Sequence, residues 1–185
     1  MITILGKRRS NSIWETPAPI GFCPQSNCLY DNLTVEDHLW LFFVLKRGKG
    51  EWKDEADLLC TQLEMSDLMG KRANKLSGGE KRKLCLAMAF IGGSELIMLD
   101  EPTVGMDPQS RILVKKLVEE KKKTRAVVLT THYLDEAEAM GDFVYILHMG
   151  SSLCSGTPHF LKAKSLTGSV HFKHAKFLAR PNVLF

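Results

Sequence analysis

The sequence predicts an α/β fold, a layered core around a parallel sheet with a mainly helical insertion. Three observations predict it. Leu96–Leu99, Ala126–Thr130 and Phe143–His148 are short apolar runs without strict alternation, the pattern of parallel strands covered on both faces. Helical stretches at Gln109–Lys122 and Leu134–Met140 separate them, giving strand–helix–strand alternation. Residues 32–90, ahead of the first run, read as helices interrupting the layered core. The 185 residues suffice for one sizeable core, and 44% hydrophobic with 25% charged residues is the composition of an ordinary globular domain.

Each element has a local reason. Residues 2–5 (ITIL) read as a short strand before the turn-prone, basic Gly6–Arg9. Residues 10–19 are polar and proline-bearing, hence loop. Ile20–Cys23 is a strand stopped by Pro24. Thr34 caps a helix over Val35–Leu45, with Glu36 and Asp37 placed where acids favour the positive helix end. Gly48 and Gly50 break the pattern. Asp54–Leu63 reads as a second helix with Leu58, Leu59 and Leu63 on one side, and Ser66–Ala73 is a short polar stretch. Ser77-Gly-Gly-Glu80 fits a capping box. The helix behind it carries Leu84, Leu86, Ala87, Phe90 and Ile91 and stops at Gly92-Gly93. No internal repeat is visible.

Composition excludes several classes. The net charge of +4 is compatible with a phosphate ligand or an anionic membrane surface but demands neither. The longest charge-free apolar stretches fall well short of the about 18–20 residues that a membrane helix needs. A membrane link must come from a partner or from other sequence, and the N-terminus lacks a signal-peptide layout. Five cysteines at irregular spacing, with no CxxC pair, suggest reduced packing residues rather than disulfides or a zinc site. Lys81-Arg82-Lys83 and Lys121–Lys123 read as solvated helix faces, and nucleic-acid binding is not expected. His171 and His174 have helical spacing but no third metal ligand.

Three segments carry chemistry. In Leu96-Ile-Met-Leu-Asp100-Glu101-Pro102 an apolar strand delivers two carboxylates to its carboxyl end, where open parallel sheets bind ligands. Asp100 suits a magnesium ion held through waters. Glu101 suits the activation of an attacking water. The same pair could merely cap a turn before Pro102. In Leu76-Ser-Gly-Gly-Glu80 two glycines at a helix start allow close approach of a phosphate, and the free N–H groups favour an anion. An ordinary capping box would look the same. In Thr130-Thr131-His132 a histidine follows a strand and could reach a terminal phosphate or a water, although a lone histidine there is more often structural.

Order and spacing bind these segments together. Gln25 after Pro24, then LSGGE, LIMLDEP, Gly105-Met106-Asp107 and His132 resemble the nucleotide-binding domain of an ABC transporter. The wording is closest to the A subfamily, the lipid-exporting type, over residues 20–168. The resemblance implies a P-loop NTPase-like ABC ATPase core with a parallel sheet and a helical subdomain insertion at about 32–90. A partial domain over 1–168 would then be followed by a tail, 169–185, of unassigned role. Gln25 would be the Q-loop glutamine, near magnesium and the coupling surface. Ser77, Gly78 and Gly79 would be the signature that closes over ATP held by an opposite domain. Asp100 would be the Walker B aspartate, Glu101 the general base, Asp107 the D-loop residue and His132 the switch histidine. The implied ligands are ATP and Mg2+. The implied partners are a second nucleotide-binding domain, head to tail, and transmembrane domains, placing the chain at the cytoplasmic face of a membrane.

One family feature is missing from the 185 residues. No G-x-x-x-x-G-K-[ST] loop occurs, because Gly6-Lys7 has no glycine five positions earlier. A fragment or short isoform that is N-terminally truncated before the Q-loop is therefore expected to hydrolyse ATP negligibly by itself and to expose apolar core surface. The alternative is a non-catalytic module that pairs with and regulates a complete domain. A chromosome-maintenance ATPase shares the signature and Walker B, but it needs a long coiled coil that the stretch between Gln25 and Leu76 does not contain.

Overall fold

A computed structural model describes residues 3–4, 7–8, 20–166 and 176–180. The chain begins with a small antiparallel pair, β1 (Thr3–Ile4) and β2 (Lys7–Arg8). The main sheet then starts with β3 (Ile20–Cys23). Helices α1 (Val35–Leu45), α2 (Trp52–Gln62) and α3 (Gly78–Phe90) follow. The chain returns to the sheet through β4 (Leu96–Asp100), α4 (Pro108–Lys121), β5 (Ala126–Thr131), α5 (Leu134–Met140) and β6 (Phe143–His148). It ends with β7 (Ser151–Gly156), α6 (Pro158–Leu166) and β8 (Lys176–Arg180).

The six-stranded sheet has the order β3-β4-β5-β8-β6-β7. Strands β3, β4 and β5 are parallel neighbours, with Cys23 beside Leu99 and Asp100 beside Thr130. Their carboxyl ends therefore share one edge. Strand β8 runs antiparallel to both β5 and β6 and sits between them. Within the tail of unassigned role, 169–185, Lys176–Arg180 takes this position. Strand β7 was also unforeseen, since SSLCSG is small and polar. It forms because Met149 and Gly150, both at positive φ (47° and 78°), make the tight turn that twisted hairpins favour. His171 and His174 lie outside the described residues.

The expected caps form. Thr34 Oγ1 accepts the Asp37 N–H at 3.0 Å, and Asp37 Oδ2 accepts the Thr34 N–H at 2.9 Å. These bonds hold the Asp37 carboxyl below its usual range. The second helix departs from expectation. It starts at Trp52, and Leu58 is half exposed while Leu59 and Leu63 are buried. Helix α3 is buried on nearly every side, from Leu84 through Phe90. Its uninterrupted apolar run follows from that central position, and full burial of Leu84, Leu86 and Phe90 stabilises the fold by roughly 1.5–3 kcal/mol each.

The sheet corrects one expectation. Its strands alternate in burial instead of being covered on both faces. Cys23, Ile97, Leu99, Val127, Leu129, Val144 and Ile146 share one apolar cluster with residues of α3, α4 and α5. The register pair Phe22 and Met98 points the other way and remains 53% and 40% exposed. Among the described residues, the helices cover the face that carries Cys23, Ile97, Leu99, Val127 and Leu129. Burial pushes the Cys23 thiol up to about 12, against the nearby Arg82 guanidinium, and Cys60 and Cys85 up to about 11. These three behave as packing groups.

Candidate functional site

Asp100 ends β4 and Glu101 turns away from it at a positive φ of 50°. That left-handed conformation is uncommon for a residue with a side chain and persists only where neighbours enforce it. Thr130 on β5 is one such neighbour. Its carbonyl accepts the Glu101 N–H at 3.1 Å, and its hydroxyl donates to Asp100 Oδ1 at 2.5 Å. The turn delivers the Glu101 side chain, 4% exposed, to His132, whose Nδ1 lies 2.7 Å from Glu101 Oε2. The His132 ring is half exposed and packs 3.9 Å from the Tyr133 ring. A buried carboxylate thus meets a solvent-facing imidazole at the sheet edge, an arrangement suited to gripping a water.

A second network lies behind this pair. Buried Glu136 accepts hydrogen bonds from the hydroxyls of Thr103 and, at 2.9 Å, Thr131. Thr131 Oγ1 also accepts the Tyr133 N–H at 3.1 Å. Glu136 therefore ties the turn after Glu101 to the segment carrying His132. Arg111 reaches the same group, 3.9 Å from Glu136 and 5.2 Å over the Tyr133 ring.

The segment Ser77–Gly79 starts α3. Ser77 Oγ accepts the Glu80 N–H at 3.3 Å, and Glu80 Oε2 accepts the Ser77 N–H at 2.6 Å. That backbone donor, with help from Ser77 and Lys71 side chains, holds the Glu80 carboxyl below its usual range. Ser77 and Gly78 are exposed and Gly79 is half-buried. A Cβ added at Gly78 or Gly79 would meet nothing within 4 Å.

Arg82 joins α3 to the edge. Its guanidinium donates to five carbonyls: Nε to Pro102 at 3.1 Å, Nη1 to Pro24 at 2.5 Å and Gln25 at 3.0 Å, and Nη2 to Asp100 at 2.6 Å and Glu101 at 2.8 Å. In sequence, Lys81-Arg82-Lys83 reads as a solvated face. The structure corrects this, since Arg82 is 2% exposed while its two neighbours are half-buried. Helical spacing carried the signal, because residues 82, 85, 86 and 89 share one side of α3.

Gln25 follows β3 at the same edge, its side chain exposed and its carbonyl held by Arg82. Asp107 stands apart. It caps α4, accepting the Ser110 N–H at 2.9 Å and the Ser110 hydroxyl at 2.6 Å, bonds that hold its carboxyl below its usual range. The structure thus gathers Gln25, Asp100, Glu101 and His132 along neighbouring strand ends, sets Ser77–Gly79 at the start of the helix tied to them, and leaves Asp107 capping the start of α4. Among the described residues no three His, Cys, Asp or Glu side chains converge to hold a metal ion, and no helix is long and apolar enough to cross a membrane. One carboxylate with an amide oxygen is still a fitting donor set for magnesium, which keeps most of its ligands as waters and phosphates.

Comparison with known proteins places this geometry. The family described as ABC transporter matches residues 1–104. The ABC transporter ced-7 of Caenorhabditis elegans is 48% identical over 168 residues, 90% of this chain and 10% of the relative. The human ATP-binding cassette sub-family A member 2 is 43% identical over 161 residues, 86% of this chain and 7% of the relative. The phospholipid-transporting ATPase ABCA3 of Rattus norvegicus is 42% identical over 163 residues, 87% of this chain and 10% of the relative. The chain spans about a tenth of the length of these curated relatives. Among solved structures, a dimeric ATP-binding cassette in a post-hydrolysis state with ADP and Pi superposes with a TM-score of 0.65 at 25% identity, over 76% of this chain and 63% of that one. The ATP-binding subunit of an ABC transporter superposes with a TM-score of 0.69 at 27% identity, over 81% and 62%.

Proposed function

We propose, because this chain belongs to the ABC transporter family, that it supplies the water-activating edge and the signature helix of an ATPase unit that drives lipid transport across a membrane. The observation that carries the reading is the contact between buried Glu101 and exposed His132 at the carboxyl edge of β4 and β5. Glu101 accepts a proton from the attacking water, and His132 holds Glu101 in place while its ring faces the γ-phosphate side. Asp100, oriented by Thr130, and Gln25 would hold magnesium. The ion supplies charge neutralisation at the phosphates when bound. Ser77, Gly78 and Gly79 offer a hydroxyl and free N–H groups to the phosphates of an ATP held by an opposite domain, and Asp107 lies on the loop between the two sites.

The β- and γ-phosphates also need a lysine and a backbone nest. No phosphate loop occurs within these 185 residues, so the reading places turnover in an assembly that contributes one. Its partners are a second nucleotide-binding domain, as in the dimeric cassette that this fold matches, and membrane-spanning domains at whose cytoplasmic face the chain sits. Lipid as cargo is inferred from the relative named as a phospholipid-transporting ATPase.

The test uses the full transporter polypeptide that contains this sequence, purified into phospholipid vesicles. Glu101→Gln removes the proton acceptor and keeps the shape. ATP turnover is expected to fall about 100-fold or more, the scale of a lost general base, with His132→Ala falling less. Unchanged turnover in Glu101→Gln would sink the hydrolytic reading.

A further inference from the structure

We propose that Arg82 is a positioning residue for Glu101, pinning the backbone turn that aims the base from the helix that carries Ser77–Gly79. Three of its five acceptors are the consecutive carbonyls of Asp100, Glu101 and Pro102. Nη2 alone bonds the carbonyls on both sides of Glu101. One nitrogen thereby fixes both peptide planes that set the φ and ψ of Glu101, the residue held at a φ of 50°. A left-handed conformation survives only where its surroundings over-determine it, and this grip supplies the determination from the α3 side as Thr130 does from β5.

The chemistry requires arginine. A guanidinium has five N–H donors in a fixed planar fork, and here five carbonyls receive them in two groups, Pro24 with Gln25 and Asp100 through Pro102. A lysine offers three donors from a single nitrogen and cannot span both groups. Among the described residues no carboxylate oxygen forms an ion pair with Arg82. A buried cation satisfied only by backbone dipoles is hard to replace for packing reasons alone. Its five partners include the backbone of Gln25 and Asp100, the residues proposed to hold magnesium, and of Glu101 itself.

The inference rests on the hydrolytic reading of Glu101, and one experiment separates the two. Turnover is measured for the full transporter polypeptide in phospholipid vesicles as wild type, Arg82→Lys, Glu101→Gln and the double variant, with slow rates followed by single turnover of labelled ATP. The expected result is a kcat per folded molecule, with the folded fraction taken from thermal melting of the same preparation, at least 10-fold lower in Arg82→Lys and the KM for ATP changed less than about threefold; counting only folded molecules removes the drop in apparent kcat that an unfolded fraction would give. Because Arg82 acts through Glu101, the double variant should match Glu101→Gln within about twofold. Multiplicative losses, a change confined to KM, or no change overturn the role of Arg82. An inert Glu101→Gln overturns the hydrolytic reading instead. Should Arg82→Lys fail to fold, Arg82→Gln replaces it, which keeps two donors without a buried charge. Failure of both to fold makes Arg82 a scaffold residue and also overturns the proposal.

Discussion

The two ends of α3 each carry a glycine pair, for opposite reasons. At the carboxyl end Gly92 and Gly93 adopt positive φ of 80° and 69°, and a Cβ on Gly92 would come within 3.0 Å of the Lys46 side chain. The fold itself needs them. At the amino end Gly78 and Gly79 have ordinary φ and open space around them, so nothing in this chain requires glycine there. The cations at the two ends differ in the same sense. Lys46 caps the carboxyl end, donating to the carbonyls of Met88, Ala89 and Ile91 at 2.7, 2.7 and 2.9 Å. Arg82 turns outward from α3 to the strand ends where Glu101 sits. One end of the helix is built for folding and the other for something that approaches from outside.

The sharpest way to break this contrast is Gly79→Ala. A methyl group in the first turn meets no protein atom, and glycine is a poor helix former. The fold should be unharmed or gain up to about 1 kcal/mol. Turnover of the full transporter should nevertheless fall by on the order of 100-fold, the scale expected when a ligand is displaced by about 1 Å. Thermal melting and ATP turnover on one preparation decide it. Full activity would show that the amino-end glycines have no ligand to admit.

The same contrast marks what the sequence could reveal. Caps and breakers were legible, because Thr34, Ser77 and the Gly92-Gly93 pair act through their own backbone neighbours. Strand ends were legible too, so Asp100, Glu101 and His132 could be placed along one edge. Arg82 was not. Its partners lie as far as 58 positions away, and a basic residue between two lysines looks solvated until the sheet closes over it. The Thr103–Glu136–Thr131 network was hidden for the same reason, since a glutamate inside LDEAEAM gives no sign of burial. Apolar character alone also could not tell which face of a strand is packed, and Phe22 and Met98 stand exposed opposite the cluster that holds Cys23 and Leu99.

A smaller effect is expected at the other end of α3. Lys46→Met would leave three buried carbonyls of the last helical turn without their donor. The loss should be about 2 kcal/mol, moderated because the buried ammonium no longer has to be desolvated. It should appear as roughly 30-fold faster hydrogen exchange at the Ile91 amide, which bonds the Ala87 carbonyl at 2.9 Å. Turnover per folded molecule should stay within about twofold of wild type, since Lys46 touches no residue at the strand edge. A large loss of turnover without loss of protection would erase the division between the two ends.

The smallest effect separates the two cations by their chemistry. Burial lowers the Lys46 ammonium from 10.5 to about 7, with Glu55 opposing the shift and Arg125 adding to it. A guanidinium, unlike an amine, does not deprotonate in proteins. Below pH 7 Lys46 is protonated whether the chain is folded or not, and the penalty for burying the charge is fully present. Between pH 7 and 10.5 the unfolded chain binds the extra proton, so this residue makes stability rise with pH. The slope is at most about 1.4 kcal/mol per pH unit. The neutral amine keeps two N–H donors, so the helix end stays largely capped. Melting temperatures of wild type and Lys46→Met, taken at pH 6, 7.5 and 9, should diverge in favour of wild type as pH rises. Parallel curves would mean that the three carbonyls hold the proton on Lys46, and that both ends of α3 are fastened by permanent charge.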